Sequence, residues 1–298
     1  MIEIKLFGAS TVAGQYLKKK YKIYLEDTEL TSFSRSNKSD IYFDLNSSLY
    51  PKELFSKKDI LLISLSPIWL IVPFLKEYFK KVNLKRIKGL IITSSTSIKT
   101  KKYSWNNFDK RLYYELSYWE KELINLTKIN KVKTTIIRPS LIYGDLGYEE
   151  DRNLNYIFKL MNLSPILPIP KNTGLRQPIH YSELTKCILT ISKTYLNNYL
   201  DTTNELNILN IGGDEELNFA ELLIRIQENL PKDLKFRKCF LIKIPNRLFF
   251  FILSPLLIFS PKYFAAILRL SINMGGFIPS SKIHGENKTK FPLNTKIK

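Results

Sequence analysis

The sequence predicts an α/β protein, a doubly wound parallel sheet with a smaller C-terminal domain. Short apolar runs alternate with helical patterns through the first half of the chain. A glycine ends the first run and a second glycine opens the helix behind it. The rhythm changes after Gly147, where prolines gather. The 298 residues are enough for one large or two modest domains.

The elements follow in order. "IEIKLFG" reads as a buried strand because it is short, apolar and closed by glycine. "AGQYLKKKYK" is the helix behind it, "LTSFSR" a second strand, and "DIYFDL" ends a third. "KDILLISLSP" is a fourth strand and leads into the helix-like "IWLIVPFLKEYFKKVN". "KGLIITSSTS" is a fifth, followed by the helix "ELSYWEKELINLTKIN", and "VKTTIIRPSLIYG" is a sixth. Strands separated by helices join as βαβ units and so run parallel. Beyond Gly147, "NLNYIFKLMN" reads as a helix, then comes the proline-rich "LSPILPIPKNTGLRQPIHYSELTKCIL". "ELNILNIGG" is a strand and "NFAELLIRIQENL" a helix, with Asn218 as its N-cap. The expected domains are 1–147 and 148–298, with roughly 179–212 returning to the first sheet.

Hydrophobic residues make up 44% of the chain, which supplies a core. The net charge of +19 points to anionic partners, or else to solvated lysines spread over the surface. No basic block is interleaved with aromatics, so nucleic acid is not expected. Cys187 and Cys239 form neither a metal-ligand set nor a disulfide framework, and a reducing cytoplasm fits them. The first strand starts at once, so a signal peptide is not expected.

Gly8 and Gly14 occupy the first and third glycine places of a dinucleotide-binding turn, and Thr11 stands at the second. Ser10 keeps the turn small. The Thr11 hydroxyl is expected to reach a phosphate oxygen while the helix N-terminus supplies amide donors. The alternative is an ordinary glycine-containing turn. After the second strand come Ser34 and Arg35 with no acid, which favours NADP, NAD being the alternative. Asp44 follows the third strand and suits the adenine amino group or a plain turn.

"FGASTVAG", "FDL", "ISLSP", "IITSSTS", "TTIIRPSLIYG", "GLRQPIHYSEL" and "LNIGGDEELNFAELLIRI" occur in this order, from residue 1 to about 230. Together they resemble the extended short-chain dehydrogenase/reductases, the NAD-dependent epimerase/dehydratase family of nucleotide-sugar enzymes. The resemblance implies a Rossmann-type NAD(P) domain and a smaller substrate domain closing over a nucleotide sugar, and surface polysaccharide synthesis is the expected setting for such an enzyme. It places Gly8, Ser10, Thr11 and Gly14 on the phosphate turn, and Arg35 and Asp44 at ribose and adenine. Ser64, Leu65 and Ser66 line the cofactor, and Arg138 and Pro139 lie on its nicotinamide side. Ser95 takes the place of the catalytic hydroxyl, and Arg176 that of the arginine gripping the substrate diphosphate. A homodimer is left open.

The family's acid/base pair is a tyrosine with a lysine four residues later. Here the residues four beyond Tyr113, Tyr114 and Tyr118 are Ser117, Tyr118 and Glu122. "WEKEL" resembles instead the atypical members that keep a glutamate-bearing helix and lose the pair. For an enzyme, Tyr114 or Tyr118 is expected to replace the missing acid/base. The rival expectation is a non-catalytic NADP-binding redox sensor or assembly factor. His180 reads as a base or as a structural histidine. The apolar run Leu248–Phe259 is too short to span a bilayer and is broken by Pro255. It reads as a buried helix pair, or as an interfacial anchor rimmed by Arg247, Lys262 and Arg269 at the inner face of a membrane.

Overall fold

The computed structural model describes residues 2–144, 164–197, 206–229 and 239–293. The expected helix "NLNYIFKLMN" lies outside them.

Strands β1 (Ile2–Phe7), β2 (Thr28–Ser34), β3 (Ile41–Tyr42), β4 (Asp59–Ser64), β5 (Ile87–Thr93) and β6 (Thr134–Pro139) form a parallel sheet in the order 3-2-1-4-5-6. Strand β11 (Leu206–Gly212) pairs with β6, and β14 (Ile278–Pro279) pairs with β11, making eight strands. Alternation along the strands feeds two cores, because successive side chains leave opposite faces. Ile60, Leu62, Leu90, Ile92 and Ile136 face α2 (Ile68–Phe79) and α4 (Asn107–Ile129). Between them runs the one-turn helix α3 (Ser97–Thr100). Leu61, Ile63, Ile91 and Ile137 face α1 (Val12–Tyr24) and α5 (Tyr181–Asn197). The result is a three-layer Rossmann fold whose chain order reverses between β1 and β4.

A third, smaller core gathers Ile169, Leu217, Leu223, Ile226, Cys239 and Phe291. Around it lie β8 (Ile166–Pro170), paired with β13 (Phe240–Ile244), and β9 (Leu175–Arg176), paired antiparallel with β12 (Leu217–Asn218). Helix α6 (Phe219–Asn229) carries much of that core, and Asn218 accepts the Glu221 amide at its start, at 2.8 Å. His180 is buried, its Nδ1 2.7 Å from the Ser182 hydroxyl. It lines neither of the clefts described below, which fits a structural role.

The apolar C-terminal run is not a buried helix pair. It forms short helices, Asn246–Leu253, Leu256–Phe259 and Pro261–Leu268, because Pro255 and Pro261 interrupt it. Only Phe249 of Leu248–Phe259 is fully buried. Arg269 is not at its rim either: its guanidinium pairs with Asp109 of α4. Among the described residues, no helix is long and apolar enough to cross a membrane.

Candidate functional site

The carboxyl ends of β1, β2 and β4 open on a cleft of about 520 Å³. Gly8, Ser10, Thr11, Arg35, Asp44, Leu65 and Ser66 are among the residues that line it. Gly8 sits at φ +78°, and a Cβ there would lie 2.7 Å from the backbone of Leu65 and Ser66. A side chain at Gly14 would meet the Gly8 carbonyl at 2.7 Å. The two glycines therefore let the turn close against the β4 loop and against α1. Ser64 is fully buried beneath the cleft, its hydroxyl accepting the Ser66 amide at 3.2 Å.

Thr11 is the N-cap of α1. Its hydroxyl donates to the Gly8 carbonyl at 2.9 Å and accepts the Gly14 amide at 3.0 Å. This corrects the expectation that it points to a phosphate. The Thr11 amide donates to Gly8 as well, at 3.1 Å. The first turn thus leaves the Val12 and Ala13 amides as its anion donors, a set that suits a pyrophosphate. Arg35 and Asp44 meet at 3.9 Å at the cleft mouth, the arginine mostly exposed and the aspartate half-buried. Asp40, the acid nearest Arg35 in sequence, is held by the Ser32 amide and hydroxyl and by Lys18, away from the lining.

A second cavity of about 350 Å³ lies at the carboxyl ends of β5 and β6. The hydroxyl run divides there. Ser94 donates to Glu120, and Thr96 donates to the Pro139 carbonyl at 3.0 Å. Ser95, Ser97 and Thr100 remain at the wall, with the Ser95 oxygen accepting the Ser97 amide at 3.1 Å. Pro139, Arg176, Gln177, Lys101 and Arg269 complete the polar side. Arg176 donates to the carbonyls of Leu175 and Ile272, both at 2.7 Å, and to that of Arg269. Burial, then the neighbouring Arg269 charge, brings its pKa down to about 10, so it stays charged at neutral pH. Lys101 and Arg269 both pair with the Asp109 carboxylate. Burial alone would raise the Asp109 pKa. Hydrogen bonds from Asn106 and Lys101 and the Arg269 charge outweigh it and hold the group at about 2. Three cations against one carboxylate leave this wall positive.

Two expected residues are not brought there. Tyr114 and Tyr118 are 65% and 54% exposed and line neither cavity. Leu116, Glu120, Leu123 and Thr127 form the buried face of α4, and a helix turns about 100° per residue, so these tyrosines face the other way. Arg138 also leaves the cofactor side: its guanidinium forks onto Glu120, with Nε 3.0 and 3.1 Å from the two carboxylate oxygens. The Glu120–Arg138 pair, Lys101 and Asp109 were not singled out from the sequence. The signal for Glu120 was present, a lone acid at helical spacing between Leu116 and Leu123.

No protein-family model and no curated protein matches the sequence. Solved structures match its fold over nearly the whole chain. A UDP-glucose 4-epimerase from Bifidobacterium longum, in complex with NAD+ and UDP, aligns with a TM-score of 0.61 at 11% identity, covering 97% of this chain and 94% of that one. A human epimerase family protein with NADPH gives 0.59 at 12% identity, covering 98% and 96%. A UDP-glucuronic acid 4-epimerase from Bacillus cereus with NAD gives 0.60 at 11% identity, covering 97% and 94%. At these identities the likeness is one of fold. The chain has the fold of the NAD(P)-binding epimerases and dehydratases of the extended short-chain dehydrogenase/reductase type.

Proposed function

We propose that this chain binds NADP(H) in the cleft at Gly8 and an anionic small molecule, a nucleotide sugar, in the cavity at Ser95. What carries the reading is that the two sites share one edge of the sheet, the first with amide donors and Arg35, the second with a surplus of cations. Bound dinucleotide would supply hydride chemistry. Ser95 would hold the reacting oxygen, and Arg176 would offer its remaining donors to a diphosphate. Pro139 would lie on the nicotinamide side. No carboxylate stands at the end of β2 itself, since Asp40 is held by Ser32 and Lys18 and Asp44 comes from beyond β3; this supports NADP over NAD.

A second reading has its own support, the filling of the inner face of α4 by Leu116 and Glu120. On that reading the chain is a non-catalytic NADP-binding sensor or assembly factor. Calorimetry separates the two. NADPH should bind more tightly than NADH, and Arg35→Ala should remove most of a roughly tenfold difference, as expected for one exposed charge-assisted contact. UDP-glucose binding to the NADPH-loaded protein supports the first reading, and its absence supports the second. Failure of both dinucleotides to bind overturns the proposal.

A further inference from the structure

The stretch 245–268 carries a surface that neither cavity uses. Its inward contribution is slight, with Phe249 and Ala265 buried. Outward it presents Leu248, Phe251, Ile252, Ile258 and Phe259 at 50, 76, 55, 80 and 83% exposure. Scattered apolar residues are normal on a surface, but a run this dense marks an interaction site. The segment's own charge has one sign. Lys243 and Arg247 are exposed beside the run, and the sequence from Leu234 to Gly285 contains no Asp or Glu.

We propose that this face docks on an anionic lipid surface. The aromatic and aliphatic side chains would enter the headgroup boundary while Lys243 and Arg247 meet lipid phosphates. Short helices broken by prolines suit a site lying in the plane of the bilayer, not across it. Charge complementarity favours lipid over a second copy of the chain. A two-fold contact through this face would bring like cations together with no acid on the segment to answer them.

Sedimentation with vesicles tests the proposal, using phosphatidylcholine alone and phosphatidylcholine mixed with phosphatidylglycerol. The protein should pellet with the mixed vesicles and largely remain in solution with the neutral ones. The triple change Phe251→Ser, Ile258→Ser and Phe259→Ser should lower partitioning about tenfold or more. These positions are exposed, so it should melt with the unchanged protein; Phe249 is left alone because it is buried. Lys243→Glu with Arg247→Glu, which touches no apolar contact, should also weaken binding to the mixed vesicles by about tenfold. Equal pelleting with both vesicle types, or pelleting unaffected by either variant, overturns the proposal. So does a dimer in analytical ultracentrifugation that the triple variant dissolves while neither form binds vesicles, which would assign the face to self-association.

Discussion

Asp109 shows how single residues at the second cavity are set by their partners. It is buried in α4, where its carboxylate accepts the Asn106 side-chain amide at 2.8 Å and its backbone amide donates to the Asn106 side-chain oxygen at 2.9 Å, with Lys101 and Arg269 at the same carboxylate. Its pKa of about 2 lies below the unfolded value, so its stabilisation is fully present above about pH 4 and is lost as pH falls through 2. Asp109→Asn should therefore destabilise the protein by about 2 kcal/mol at pH 7, and the gap from the unchanged protein should close between pH 4 and pH 2. Denaturant melts across that range check this; a constant gap would mean that the charge is not responsible. Thr11 and Arg138 teach a related point. Each has the chemistry to bind a cofactor, and each is engaged by a nearer partner, a helix terminus in one case and a buried carboxylate in the other.

At the scale of the element, α4 anchors the base of the serine loop. Its inward face holds the Glu120 carboxylate, locked to Arg138 and to the Ser94 hydroxyl. Removing one partner of a buried pair strands the other. Glu120→Ala should cost about 3 kcal/mol, while replacing both Glu120 and Arg138 with apolar residues of similar volume should restore most of it. Tyr114→Phe and Tyr118→Phe should leave stability within about 0.5 kcal/mol and leave ligand binding unchanged, since both rings face solvent. Thermal melts and calorimetry on these variants read both effects. A clear loss of ligand binding in either tyrosine variant would return a tyrosine to the site.

For the whole molecule, the decisive feature is the return of the chain's end to its beginning. β14 covers the edge of β11, and Asp214 accepts the Ser281 and Thr289 amides, both at 2.8 Å. His284 meets the buried Glu183 of α5 at 2.9 Å, and the Tyr24 hydroxyl donates to Glu286 at 2.8 Å. Burial, then the Glu286 carboxylate, pushes the Tyr24 pKa up to about 12, which keeps that donor protonated at neutral pH. A chain ending at Phe277 would bare a strand edge and leave Glu183 and Asp214 without these partners. It should melt at least about 10 °C lower, the shift expected for several kcal/mol in a chain of this size. A truncated chain that melts within about 2 °C of the full one would show the tail to be dispensable.

The sequence by itself determined the central sheet, because strand periodicity, the glycine turn and strand–helix alternation are local signals. It also determined the cleft at Gly8, since the glycine spacing and the arginine standing where an acid could end the second strand are written in contiguous residues. Tertiary structure decided what the polar side chains do. Lys101, Arg176 and Arg269 come from three separate stretches, and no local pattern says that they converge on one cavity with Asp109 pairing two of them. Burial decided the rest: a charge taken out of water must find a partner, and which one lies within reach depends on how distant segments pack. So Arg138 pairs with Glu120, Arg269 pairs with Asp109 and not with the rim of the apolar run, and most of the run itself lies on the surface.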